Sequence, residues 1–149
     1  MAFSSMSAEV IAGMLRIASQ DLDGARLLNQ AGNRNAAYLC EQAAEKVSRA
    51  VLTSKGIQAG IRHELPDMVG KIPDDNPVKP ALQAIEHLAA YATAFRYPSR
   101  RGRVGAPPSA AELDADIAKI SAALSIVVAR FRVDLSKPDA PAGKPDPIR

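Results

Sequence analysis

The densest chemistry in the chain is a run of arginines. Arg96, Arg100, Arg101 and Arg103 fall close together, the last three inside a Gly- and Pro-containing stretch, 97–108, that also carries Tyr97. A guanidinium presents its N–H donors in a planar fork, so such groups on a loop suit phosphate oxygens, which they can hold bidentately. The same residues can equally be a solvated loop, with Arg96 offsetting the negative C-terminal end of a preceding helix. The formal net charge of +3 is compatible with an anionic partner but is far from the density of a dedicated DNA-binding arm.

The remaining reactive side chains are few. His63 and His87 are the only histidines and Cys40 the only cysteine. Glu86 and His87 are adjacent on an expected helix, so they point about 100° apart and do not converge. No Glu is followed by His three residues later, which a di-iron bundle would want, and zinc needs more nitrogen or sulfur ligands than this set readily offers. Both histidines therefore read as structural, and neither a metal nor another cofactor is expected. Glu41 and Glu45 share a helix face, but Lys46 and Arg49 beside them make a solvated or dimer-facing charge pattern the simpler reading. Cys40 lies on an apolar stripe, where a thiol behaves as a small hydrophobe rather than a nucleophile. The glycine-rich phosphate loops and the Gly-x-Ser-x-Gly elbow are absent from the sequence.

The elements that would position these groups are helical. In residues 35–55, Ala36, Leu39, Cys40, Ala43, Ala44, Val47, Ala50 and Val51 recur at i, i+3, i+4, i+7, which places them on one stripe. The stripe is rich in alanine, so neighbouring helices can approach closely, and this segment reads as the central helix of a bundle. A first helix is expected from an N-cap at Ser7 to about Ala31, buried through Ile11, Met14, Leu15, Ala18, Leu22, Ala25 and Leu28. The polar turn 32–35 between the two implies antiparallel neighbours.

Downstream, a short helix opens at His63–Pro66, and a breaker run at 72–77 places Asn76 as a cap before a single helix over 78–96. Leu82, Ile85, Leu88, Ala89, Ala92 and Phe95 would face inward there. Ser109 and Glu112 form a capping-box signature for a last helix to about Val133, with Leu113, Ile117, Ile120, Leu124, Val127 and Phe131 as its stripe. Residues 134–149 hold four prolines and no apolar period, so they are set apart as a disordered tail behind a 1–133 domain.

Composition agrees with an all-α, up-and-down bundle of four or five helices. Apolar residues make up 47% of the chain, yet there is no Trp and there are only three Phe and three Tyr, which disfavours strands. No apolar run is long enough to span a membrane and no signal peptide is evident, so a cytoplasmic location is expected.

The segment Ala36–Leu52, with Gly56, His63-Glu64-Leu65 and later Tyr91-Ala-Thr-Ala-Phe-Arg96-Tyr97-Pro98, resembles the HEPN domain family, named for higher eukaryotes and prokaryotes nucleotide-binding. Gln42, Ala43, Ala44, Glu45 and Lys46 carry the signature of its second helix. The resemblance implies a helical bundle that forms homodimers and pairs with a minimal nucleotidyltransferase, in many cases as toxin and antitoxin. A large subset of the family are metal-independent RNases using an Arg followed by His after four to six residues. Here the positions following Arg96 at that distance are Arg101, Gly102 and Arg103, and neither histidine has an Arg suitably upstream. Without that imidazole the acid/base step has no carrier. The chain is therefore read as non-catalytic, binding a nucleotide, RNA or a nucleotidyltransferase partner through Arg96, Tyr97, Arg100, Arg101 and Arg103, with His63 as a further contact. The rival readings are a divergent RNase acting through its arginines and a purely structural helical dimer.

Overall fold

The computed structural model describes residues 4–60 and 64–147. His63 lies outside the described residues. Five α-helices and one 3₁₀ helix make up the regular structure among those residues, with no strand: α1 Ser5–Gln30, α2 Asn35–Ser54, α3 Leu65–Gly70, α4 Lys79–Gln83, a 3₁₀ helix Glu86–Ala92, and α5 Ala110–Arg130. The all-α bundle expected from composition and periodicity is what forms. None of these helices is long and apolar enough to cross a membrane.

α1 begins one turn earlier than expected. Ser4, not Ser7, is the N-cap: its backbone is extended and its Oγ accepts from the Ser7 N–H at 3.1 Å. The helix ends in a Schellman turn, with Gly32 at φ +69° and the Asn33 N–H bonded to the Leu28 carbonyl at 2.8 Å. That turn reverses the chain, and α1 and α2 form the most extensive helix pairing of the bundle. At one crossing point the two helices approach closely: a Cβ on Gly24 would lie 2.9 Å from Leu39 Cδ1, and that side-chain end would have to shift. The salt bridge between Lys46 Nζ and Asp21 Oδ2 ties the pair together at its edge.

α2 is the centre, as its stripe predicts. Ala36, Cys40, Ala43, Ala44, Val47, Ala50 and Val51 are fully buried, and Ala37, Ser48 and Leu52 beside the stripe are buried as well. A helix buried nearly all round needs neighbours on every side, and α1, α3, the 3₁₀ helix and α5 supply them.

The segment read as one helix over 78–96 is instead broken. α4 lasts five residues, Ile85 leaves helical geometry at φ −117° and ψ 1°, and the chain resumes as a 3₁₀ helix to Ala92. Leu82, Ile85 and Leu88 are all buried, and Tyr91 continues the same spacing. A strict repeat of three suits a 3₁₀ helix, where i and i+3 eclipse, and does not suit 3.6 residues per turn. Upstream, Lys79 is buried and donates through Nζ to the Ile72 carbonyl at 2.6 Å and to Asp74 at 2.7 Å, closing the α3–α4 connection. Asn76 Oδ1 accepts from the Val78 N–H, a turn rather than a helix cap.

α5 carries the full capping box between Ser109 and Glu112, and its stripe is buried from Leu113 to Phe131. It ends at Arg130, short of Val133. Residues 134–147, expected to be disordered, hold no helix but fold back on the bundle. Arg16 donates to the Asp134 carbonyl at 3.0 Å and to the Ala140 carbonyl at 2.7 Å. The Ala142 N–H bonds to the Ala8 carbonyl, the Gly143 N–H to that of Phe131, and Ala142 itself is buried.

Candidate functional site

The 3₁₀ helix and the turn that follows it bring Arg96 against α2. Its guanidinium carbon lies 4.4 Å above the Tyr38 ring and 5.4 Å from that of Tyr97. Stacking on an aromatic face holds the planar group; its Nη1 reaches the Ala92 carbonyl at 3.4 Å, and the rest of its in-plane N–H edge is left for an oxygen ligand. Arg96 and Tyr97 thus come together, on a platform that includes Tyr38, a residue whose role the sequence does not announce.

Arg100, Arg101 and Arg103 sit on a closed turn just beyond. The Ser99 N–H bonds to the Arg103 carbonyl and the Gly102 N–H to that of Ser99, both at 2.8 Å, while Ser99 Oγ accepts from the Arg103 N–H. Gly102 takes φ +76°, a conformation that glycine reaches without strain. Arg34, at the α1–α2 turn, donates to the Gly105 carbonyl at 3.0 Å and pins the far side of the loop. The three arginines are exposed, and among the described residues their guanidinium groups meet no carboxylate or carbonyl. The backbone of the turn is therefore fixed by its own hydrogen bonds while the positive charges stay unpaired.

Beside Arg96, between α2 and the 3₁₀ helix, a cleft of about 300 Å³ opens. Tyr38, Glu41, Gln42 and Glu45 line its α2 wall, one stripe at i, i+3, i+4, i+7. Glu41 is not solvated, as its sequence neighbours suggest, but only 5% exposed. Burial pushes its carboxyl above the ordinary glutamate range, against the hydrogen bond from Gln42 that lowers it. Gln42 Nε2 donates to Glu41 Oε2 at 2.9 Å and lies 3.5 Å from Glu45 Oε2, and Glu45 Oε1 takes the Arg49 Nε–H at 2.8 Å. Glu45 and Arg49 thus make an i,i+4 ion pair along α2.

A second polar cluster links the 3₁₀ helix to α5. Asp116, buried, accepts from His87 Nε2 at 2.8 Å and from the Tyr91 hydroxyl at 3.0 Å. A carboxylate only accepts, so Nε2 of this half-exposed ring carries the proton. His87 does not line the cleft beside Arg96. Its pairing with a residue 29 positions away leaves no trace in local spacing. Cys40, fully buried, has its thiol pushed from 9.0 to about 12 by burial and secondarily by the Asp116 charge. Tyr91 rises from 10.0 to about 12 through burial and its bond to Asp116.

Both groups stay neutral in the fold at pH values where the unfolded chain ionises. Their contribution to stability is complete below about pH 9 and is lost as the pH rises toward 12. Urea midpoints measured across this range should fall, and the fall should be shallower in Cys40→Ala and Tyr91→Phe. An unchanged slope in both variants would contradict the assignment.

Among the described residues, no three His, Cys, Asp or Glu side chains group to hold a metal. The HEPN domain family matches residues 11–125. No curated protein and no solved structure matches the chain.

Proposed function

The chain belongs to the HEPN domain family, and from that premise we propose a non-catalytic binding protein that engages the phosphates of a nucleotide or RNA through Arg96 and the 99–103 turn. The observation that carries this reading is the unpaired state of Arg100, Arg101 and Arg103 on a turn whose backbone is already hydrogen-bonded. Among the described residues nothing inside the fold uses these three guanidiniums, whereas phosphate supplies the acceptors they lack. Arg96, held on Tyr38, adds a pre-oriented fourth contact. The test is Arg100→Ala/Arg101→Ala/Arg103→Ala, assayed with a short single-stranded RNA at low salt. Loss of three phosphate contacts should weaken binding by roughly tenfold or more with the circular dichroism spectrum unchanged. Equal affinity would assign the arginines to solubility alone.

The same reading gives the protein a nucleotidyltransferase partner, in the manner of a toxin–antitoxin pair, and a homodimer as its working form. An exposed apolar row on α1 supports the dimer. Met6, Val10, Gly13 and Ile17 follow i, i+4, i+7, i+11, with Met6 74% and Ile17 49% exposed. A Cβ on Gly13 would meet nothing within 4 Å, so nothing inside this fold calls for a mid-helix glycine, which costs about 1 kcal/mol against alanine. A closely crossing helix from a second copy would. Ile17→Glu should shift the protein to a monomer in sedimentation velocity. Wild-type protein that sediments as a monomer at high concentration would end this part of the reading.

A further inference from the structure

The cleft beside Arg96 carries a feature that phosphate binding does not use. Glu41 is 5% exposed and lines this cleft. One of its oxygens, Oε2, accepts from Gln42, while Oε1 takes no hydrogen bond among the described residues. Oε1 is not among the sealed, unpartnered atoms of the fold, so this oxygen of an otherwise buried side chain is left open to accept from a ligand in the cleft. The Gln42 amide nitrogen is directed at Glu41 Oε2 and Glu45 Oε2, Glu45 is itself an acceptor held by Arg49, and Glu64 across the cleft is an acceptor too. The cavity therefore presents three carboxylates to whatever fills it, alongside the Tyr38 and Thr93 hydroxyls, with a guanidinium stacked on an aromatic ring at its rim.

We infer that the cleft is a base-recognition pocket that selects guanine, with Glu41 reading the N–H donors of the base while the arginines hold its phosphate. The inference rests on the phosphate-binding reading above. The choice of base follows from donor and acceptor order. Guanine places a ring N–H and an exocyclic amino group side by side, two parallel donors for one carboxylate. Adenine and cytosine set a ring-nitrogen acceptor next to their amino group, and uracil flanks its single N–H with two carbonyls. Each of these turns an acceptor toward a carboxylate. Flat bases also suit the stacking surface that an arginine plane and an aromatic ring provide. A volume near 300 Å³ is at the low end for a complete ligand, in keeping with a pocket that takes the base and leaves sugar and phosphate outside.

The experiment is calorimetry of the full chain with GMP, IMP, AMP and UMP at one salt concentration, on wild type and Glu41→Gln. GMP should bind roughly tenfold or more tightly than UMP, the span expected of one good bidentate pair. IMP, which lacks the amino group, should fall between them. Glu41→Gln should erase most of the GMP preference without weakening UMP binding. If Glu41→Gln does not fold, the GMP-to-IMP ratio on wild type decides alone, and equality overturns the inference. Four nucleotides binding alike would overturn it while leaving the phosphate contacts standing. Binding of none would overturn the phosphate reading and this inference together.

Discussion

Phe131→Ala should lower the unfolding free energy by about 3–5 kcal/mol, the range for an aromatic deleted from a packed core. Phe131 is among the largest fully buried side chains, at 1% exposure, and stands at the point where α5 ends. Its carbonyl also accepts the Gly143 N–H at 2.6 Å, so the residue both closes the core and holds the returning chain. The following residue, Arg132, adopts φ +51° to complete the reversal, a conformation that costs an L-residue roughly 1–2 kcal/mol. A position under that constraint is not free to collapse into a cavity. For a chain of this size the loss corresponds to roughly 6–20 °C in melting temperature. Residues 134–147 should become protease-sensitive at temperatures where the wild type resists. A loss under about 1 kcal/mol, well below the usual range, would mean that the helix end is not a fixed part of the core.

Asp116→Ala is expected to be the most damaging polar substitution, at about 2–3 kcal/mol. Removal of the carboxylate strands the Tyr91 hydroxyl and deprives His87 of the partner that orients it. Water can serve the half-exposed imidazole, which is why the figure stays below the sum of two charge-assisted bonds. Asp116→Asn should fall between, because the amide accepts from one donor and turns its own N–H groups toward the other. Asp116 also supplies the secondary cause that raises the Cys40 thiol, so either variant should bring that thiol's ionisation to lower pH. Urea unfolding reads the first effect and absorbance of the thiolate the second. If stability holds while the thiol shifts, the segment from α4 through the 3₁₀ helix is fixed by its apolar side alone, through Leu82, Ile85 and Leu88.

Much of this architecture was legible where apolar spacing was strict. The α2 stripe, the α1 stripe and the α5 run from Leu113 to Phe131 each gave a helix, and the boundaries of α2 and the capping box at Ser109 follow from local residue chemistry. The 78–96 segment misled because Leu82, Ile85, Leu88 and Ala89 satisfy a helical template loosely. The repeat of three continued by Tyr91 was the available signal for a 3₁₀ helix, and it was outweighed by the more common period. The fold-back of 134–147 could not be read at all. It depends on Arg16 and on backbone carbonyls more than a hundred positions away, which no composition argument senses.

The site divides along the same line. Arg96 and Tyr97 were visible as types at close spacing, and the structure sets them together. The Tyr38 platform, the buried state of Glu41 and the pairing of His87 with Asp116 are products of tertiary contact. Glu41 in particular reads as solvated in sequence because Glu45, Lys46 and Arg49 surround it. The start of α3 and the 3₁₀ helix lie across from it, and both are too short to show a helical apolar period in the sequence.

The central claim is that arginines of the 96–103 segment contact phosphate, and its most direct test is the salt dependence of RNA binding. Affinity for a short single-stranded RNA, measured by calorimetry at stepped salt, should fall with a log–log slope of roughly −2 to −3, about −0.7 for each of three or four phosphate contacts. In the variant lacking Arg100, Arg101 and Arg103 the slope should shrink to that of Arg96 alone. Binding that is insensitive to salt, or a slope identical in the variant, would contradict the account.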